Sequence, residues 1–146
     1  MKKKSAPIYL YISLLFLPFF SQAQTDSPLG TWMAFDPDTG EPRSHIELFM
    51  KGEELKGKVV KLMTVAPDTK CAKCSGERKN QPLLGMEIIS GLHKEEGKWV
   101  DGQIYRPIND KSYNCKVWVD PAQPDILYVR GYVGFIYSTQ EWKRIK

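Results

Sequence analysis

Short runs of alternating apolar and polar residues recur along this chain at nearly even spacing, and this pattern constrains the fold more than any other feature. The runs are rich in β-branched and aromatic residues and are bounded by turn-forming residues, with no ten-residue amphipathic helix among them. Such spacing predicts about eight antiparallel strands joined by short turns. Because a strand meander that closes on itself has no unpaired edge, we predict an all-β fold, a small antiparallel up-and-down β-barrel.

Alternation assigns side chains to the two faces of the predicted strands. The predicted inward residues are Tyr113, Cys115, Val117 and Val119 in SYNCKVWVD, and Ser44, Ile46, Leu48 and Met50 in RSHIELFM. His45 and Glu47 then point outward, which argues against His45 as a buried ligand.

An outer-membrane barrel would have the same strand count but needs an apolar outer band. Here Glu47, Lys58, Lys116, Glu141 and Lys143 would place charges in that band. We therefore predict a soluble barrel.

The N-terminus has the pattern of a secretory signal peptide. Lysines precede an apolar run over residues 8–20, and Ser21 and Ala23 occupy the small-residue positions of a cleavage site. The run contains Pro18 and is shorter than the about 20 apolar residues of a membrane-spanning helix. We predict a signal peptide over residues 1–23 and export to the periplasm or the medium.

Cleavage would leave residues 24–146 as a single domain. The full chain has a formal net charge of +4, but the predicted signal peptide holds three lysines and no acid, so the mature chain is close to neutral. A nearly neutral domain has no electrostatic attraction for nucleic acid. We expect no nucleic-acid partner and no membrane span, and the sequence leaves the oligomeric state open.

The stretch GTW, residues 30–32, opens the first predicted strand and resembles the signature of the lipocalin superfamily. In that superfamily the tryptophan closes the barrel floor under a basic residue from a late strand. The resemblance implies this role for Trp32, with Arg144 or Arg130 covering its ring by a cation–π contact. A tryptophan that only packs in the core is the alternative.

A longer ordered set of motifs extends over residues 29–145. It comprises GTW, DPDTG, CAKCSGERKNQPLLGMEIISGL, KWVDGQIYRP, KSYNCKVWVD and LYVRGYVGFIYSTQEW. This set resembles the uncharacterised bacterial exported domain-of-unknown-function family 2147. The resemblance implies a lipocalin-like β-barrel and supplies no catalytic residues.

Three cysteines admit three interpretations. A zinc site would need Cys71, Cys74 and Cys115 with the remote His93, and the second cysteine pair typical of such sites is missing. A redox dithiol at Cys71 and Cys74 would need a helix after it, and the following residues SGERKNQPLLG allow at most one turn. In an oxidising compartment a structural disulfide is the simpler alternative. We prefer Cys71 paired with Cys74 over a bridge to Cys115, and expect neither metal nor cofactor.

Few other residues suggest chemistry. The segment Asp36–Gly40 lacks the later ligands of a calcium loop and reads as a turn. Ser44 and His45 are adjacent and face opposite sides of a strand, so they cannot cooperate as nucleophile and base. Asp101 and Glu141 form an acid–base pair only if both point into the barrel, and solvated acids are the simpler reading. We predict no catalytic residues and expect a protein that is not an enzyme.

Aromatic side chains are concentrated in the last four predicted strands, where they fill the core or line a cavity for a small amphipathic ligand. The candidate ligand-binding residues are Tyr105, Tyr113, Tyr128, Tyr132 and Tyr137. The leading hypothesis is a binding module for a small apolar or amphipathic envelope molecule. The alternatives are a thiol redox or disulfide-handling protein that uses the CxxC pair, and a structural or interaction barrel with a filled core.

Overall fold

The computed structural model describes residues 26–146 together with Lys3 and Ser5. Apart from these two residues, the predicted signal peptide lies outside the described part of the chain, as does the cleavage site before Gln24. Within the described part, no helix is long and apolar enough to cross a membrane.

The described residues form a closed barrel of eight antiparallel strands, which confirms the predicted fold class. The strands are β1 (Gly30–Phe35), β2 (Pro42–Lys51), β3 (Glu54–Leu62), β4 (Glu87–Glu95), β5 (Lys98–Arg106), β6 (Lys111–Asp120), β7 (Gln123–Val133) and β8 (Ile136–Arg144). Each strand pairs with the next one along the chain, and β8 returns to β1.

The alternating strand directions give the barrel two distinct ends. The connections after β1, β3, β5 and β7 lie at one end, which we call the mouth. The start of β1 and the connections after β2, β4 and β6 lie at the other end, which we call the floor. At the mouth, the predicted turn after β1 forms as Asp36 Oδ1 accepts the backbone N–H groups of Asp38 and Thr39 at 2.9 and 3.1 Å.

A contiguous apolar core fills the barrel interior, and its fully buried side chains are Trp32, Ile46, Leu48, Leu55, Ile89, Leu92, Val117 and Leu127. Cys115, Val117 and Val119 are all buried, as the alternation in β6 predicts. Met50 lies on the inward face of β2, as predicted, because it pairs with the buried Leu55. It is nevertheless 38% exposed, since it lies beside the β2–β3 turn at the end of the barrel.

The longest connection, residues 63–86, joins β3 to β4 across the mouth. It contains a short 3-10 helix at Gly76–Arg78 and an isolated bridge between Lys70 and Pro82. Cys71 and Cys74 are joined by a disulfide within it. The loop is therefore tied to itself, and it forms one wall of the site described next.

Candidate ligand cavity

A cavity of about 430 Å³ lies at the mouth end of the barrel. Three mouth connections border it, contributing Pro37 after β1, residues 69–73 after β3, and Ile108 after β5. Its volume is within the range of about 300–1,000 Å³ that is usual for small-molecule pockets.

The inner part of the cavity is apolar. Its base includes Trp142, which is 2% exposed and donates its indole N–H to Gln140 Oε1 at 3.2 Å. The side walls include Ile46, Val59 and Ile104 from three different strands. A ligand that reaches this part would exchange water for hydrocarbon contacts, which is favourable by about 25 cal/mol per Å² of apolar surface buried.

The outer part of the cavity carries positive charge. Arg43, Lys70, Lys73 and Arg106 line it, and none of the described lining residues bears a carboxylate. Arg43 is partly compensated from outside the cavity, since its Nη1 lies 3.4 Å from Asp36 Oδ2. Backbone hydrogen bonds from the turn, with the charge of Arg43 as a smaller contribution, lower the pKa of Asp36.

The disulfide is buried beside the cavity. Cys71 and Cys74 are 4% and 2% exposed and pack with Met86 and Tyr105 in a small cluster separate from the main core. A thiolate reacting with this bridge would first have to displace the cover over the sulfur atoms.

Tyr105 is the candidate tyrosine that lines the cavity. Its hydroxyl donates to Asp110 Oδ1 at 2.7 Å, and Arg78 lies 4.2 Å from the centre of its ring. Burial and the hydrogen bond to Asp110 raise the pKa of Tyr105, while hydrogen bonds from Ser75 and Tyr105 lower the pKa of Asp110. Tyr105 thus forms a neutral wall whose hydroxyl is already engaged.

The structure does not bring the five candidate tyrosines together, so the expectation that they share one cavity is corrected. Tyr113 is half-buried, and its hydroxyl accepts a hydrogen bond from Asn109 Nδ2 at 3.1 Å rather than lining the cavity. Tyr128 and Tyr132 lie on the outer face, because the residues that alternate with them in β7 face the core. Tyr137 is 56% exposed in β8.

The outer tyrosines belong instead to a cross-strand array of rings and cations. Trp118 stacks on Tyr128 with ring centroids 5.3 Å apart. Lys98, Lys116 and Arg130 lie 5.1, 5.7 and 5.1 Å from the Trp118 ring. The ring faces already have partners, and pairs of this kind stabilise neighbouring strands.

At the floor end, Arg144 covers Trp32 with its guanidinium carbon 4.1 Å from the ring centroid. The same guanidinium donates to the backbone carbonyls of Ser27, Leu29 and Pro124 at 2.9 to 3.1 Å. The alternative basic residue, Arg130, is wrong for this role because it lies on the outer face against Trp118. Trp32 and Arg144 therefore close the floor opposite the cavity.

Cys115 is a free, buried thiol on the inner face of β6. It lies between Gly102 and Gly131, its register partners on the neighbouring strands. Burial raises the pKa of Cys115 to about 12, so its thiol stays protonated at neutral pH. The bridge from the loop to Cys115 does not form.

Neither histidine lines the cavity. His45 is half-buried, its Nε2 has no hydrogen-bond partner among the described residues, and burial followed by the charge of Lys61 lowers its pKa. His93 lies within β4. Its Nε2 is 3.5 Å from Asp101 and 4.0 Å from Glu95, and all three side chains are solvent-exposed.

The two strand acids point away from the interior. The Asp101 side chain is 76% exposed, and Glu141 lies exposed on the outer face of β8. These positions exclude an acid–base pair inside the barrel.

Several cavity residues were missed by sequence reasoning, namely Phe35, Leu62, Ile104 and Arg106. The inward orientation of Ile104 follows from alternation, because Ile104 lies two residues after the buried Gly102 in β5. Leu62 breaks the alternation, because a register shift between His45 and Ile46 turns it inward opposite Ser44. Alternation applied to β7 would also have placed Tyr128 and Tyr132 on the outer face.

The comparisons with known proteins agree with this architecture. A family model described as "Uncharacterized protein conserved in bacteria (DUF2147)" matches residues 30–144. Among solved structures, protein HP1028 from the human pathogen Helicobacter pylori, described as belonging to the lipocalin family, superposes with a TM-score of 0.73 at 17% identity. The superposition covers 84% of this chain and 85% of that one, which confirms the lipocalin-like fold. Comparison with curated protein sequences finds no match.

Proposed function

We propose that this chain, which belongs to the bacterial family DUF2147, is an exported lipocalin-like module that binds a small apolar or amphipathic molecule of the cell envelope. The observation that carries the proposal is the cavity of about 430 Å³ at the mouth, with an apolar base around Trp142. A fold alone is a weak argument for function, so the proposal rests on this cavity rather than on the barrel.

The export part of the proposal is supported by the sequence pattern of residues 1–23. A protein recovered from the envelope should begin at or near Gln24, as read by N-terminal sequencing. An N-terminus at Met1 would contradict this part of the proposal and leave the binding function to be tested separately.

The other two hypotheses have less support. A disulfide-handling protein needs accessible sulfur atoms, and Cys71 and Cys74 are both buried. A barrel with a filled core would leave no space of ligand size, whereas the mouth contains one.

Binding can be tested with N-phenylnaphthylamine, an uncharged probe that fluoresces in apolar surroundings. We expect saturable binding to the mature protein and its loss in Ser44→Phe, because Ser44 lines the cavity and a phenyl ring there would occupy it. Ser112→Phe is the matched control, since Ser112 is exposed and lies outside the cavity lining.

Circular dichroism would show that both variants fold. Equal binding by the two folded variants, or no saturable binding by the unaltered protein, would refute the proposed function.

A further inference from the structure

We infer that the cavity selects an anionic amphiphile, with its hydrocarbon tail on the apolar base and its acidic head group among the cations at the mouth. This inference rests on the proposed function and adds the chemical class of the ligand. A fatty-acid carboxylate and the phosphate of a single-chain lipid share the required chemistry.

The charge distribution is the first argument. The four cationic side chains of the lining come from separate parts of the chain: Arg43 from β2, Lys70 and Lys73 from the disulfide loop, and Arg106 from the end of β5. No acidic side chain among the described residues faces them across the cavity. A cleft lined by one sign of charge raises the local concentration of ligands with the opposite sign.

The second argument is that no acidic side chain in the described part of the chain neutralises the charge of Arg106. Arg106 is half-buried and forms no ion pair with any described residue. Its direct neighbour across the β5–β6 ladder is Lys111, which is also positive. Like charges directly opposite each other destabilise a strand pair, so an anion bound beside Arg106 would offset part of this repulsion.

Two carboxylates of the mouth connections are engaged away from the cavity. Asp36 accepts hydrogen bonds from its own turn and lies beside Arg43. Asp110 accepts the hydroxyl of Tyr105. Neither carboxylate lines the cavity. Lys70, Lys73 and Arg106 form no ion pair with any described residue, so they remain available to a ligand.

The position of the polar and apolar parts fixes the orientation of the ligand. The mouth connections carry the cations, whereas Trp142, Ile46 and Val59 lie deeper. A tail inserted toward Trp142 leaves its head group at the level of Arg106 and the disulfide loop. An arginine fork donates two parallel hydrogen bonds to a carboxylate or phosphate, which makes Arg106 the residue that should distinguish head groups most strongly.

Three probes with the same twelve-carbon chain test the head group: laurate, dodecanol and dodecyltrimethylammonium. Each is titrated calorimetrically, the two ionic probes below their micelle concentrations and dodecanol below its solubility limit. At neutral pH we expect laurate to bind about tenfold more tightly than dodecanol, as suits a charge-assisted contact. Dodecyltrimethylammonium should bind more weakly than both. The advantage of laurate should shrink at high salt, because salt screens the partly exposed cations.

Arg106→Gln should weaken laurate binding about fivefold and leave dodecanol binding unchanged. Arg130→Gln is the control, since it removes the same charge from the outer face, away from the cavity. Equal affinities for laurate and dodecanol in the unaltered protein, or equal effects of the two substitutions on laurate, would overturn the inference while the proposed function stands. Failure of all three probes to bind would instead refute the proposed function, and the inference would fall with it.

Discussion

Gly102 should be the least replaceable small residue of the barrel interior. A Cβ added at this position would lie 2.5 and 2.6 Å from Leu92 Cγ and Cδ2, and 2.7 Å from the carbonyl oxygen of Ser90. Leu92 is fully buried, so its side chain cannot swing aside, and the Ser90 oxygen belongs to the backbone of β4. Overpacking a core costs about 1–3 kcal/mol, and the backbone contact places Gly102→Ala near the upper end of that range.

Gly131→Ala is a matched control. Gly131 lies on the opposite side of Cys115 from Gly102, in β7, and the nearest atom to an added Cβ is Tyr113 Cβ at 4.0 Å. Alanine fits there, and it favours a strand over glycine by about 0.5–1 kcal/mol. Both substitutions add a single methyl group to a glycine, and they should change the free energy of unfolding in opposite directions.

Urea denaturation followed by tryptophan fluorescence measures the difference. With a slope of about 1–3 kcal/mol per molar urea, a loss of about 3 kcal/mol lowers the midpoint by about 1–3 M for Gly102→Ala. The midpoint of Gly131→Ala should stay the same or rise. Equal midpoints for Gly102→Ala and the unaltered protein would show that β4 and β5 can separate at no cost, which would refute the packing argument.

Three further substitutions test other parts of the structure. Arg144→Ala should lower the free energy of unfolding by about 2–4 kcal/mol, because the charged hydrogen bonds to backbone carbonyls are lost. Thermal melting should show that Arg144→Lys recovers little of this stability, because an ammonium group cannot reproduce the forked contact of a guanidinium. Replacing Cys71 and Cys74 by serine should cost about 2 kcal/mol, the chain-entropy value for a four-residue loop. In the unaltered protein, thiol titration should detect Cys115 only after unfolding, whereas peptide mapping that linked Cys115 to the loop would contradict the pairing. The pKa of Asp36 is lowered below its usual 3.8, so the stabilisation from its ionised form is present at neutral pH and is lost as the pH falls and the carboxylate is protonated. Asp36→Asn should therefore reduce the fall of melting temperature in acid, and an unchanged acid profile would show that ionisation of Asp36 contributes nothing to stability.

The strand count and much of the core could be predicted because period-two alternation holds wherever the ladder is regular. Val117 and Val119 illustrate this, as does Ile46. Met50 shows the limit: alternation gives the side of a strand but not how far along it the core extends. Leu62 shows a second limit, because a bulge flips the faces and leaves no mark that composition reveals.

The cavity could not be located from the sequence because its lining comes from connections that meet only when the barrel closes. Lys73 precedes β4 and Arg106 ends β5, so the two residues are far apart in sequence. In the sequence alone, each resembles an ordinary surface cation. The assignment of Tyr128, Tyr132 and Tyr137 to the cavity was wrong because aromatic side chains suit the outer face of a sheet as well as a pocket. The local disulfide was predictable, because its two cysteines are three residues apart in a turn-rich segment.

The seam that closes the barrel has a consequence for the order of folding. It is held by two register pairs, Trp32 with Arg144 and Met33 with Lys143, whereas every other described strand pair joins neighbours in sequence. The hydrogen bonds from Arg144 to the carbonyls of Leu29 and Ser27 span 115 and 117 residues, so forming this seam closes a loop of nearly the whole described chain. Pairings so distant in sequence form slowly. The hairpins from β1 to β8 all join neighbours in sequence, so we expect the pairing of β1 with β8 to form last and most slowly.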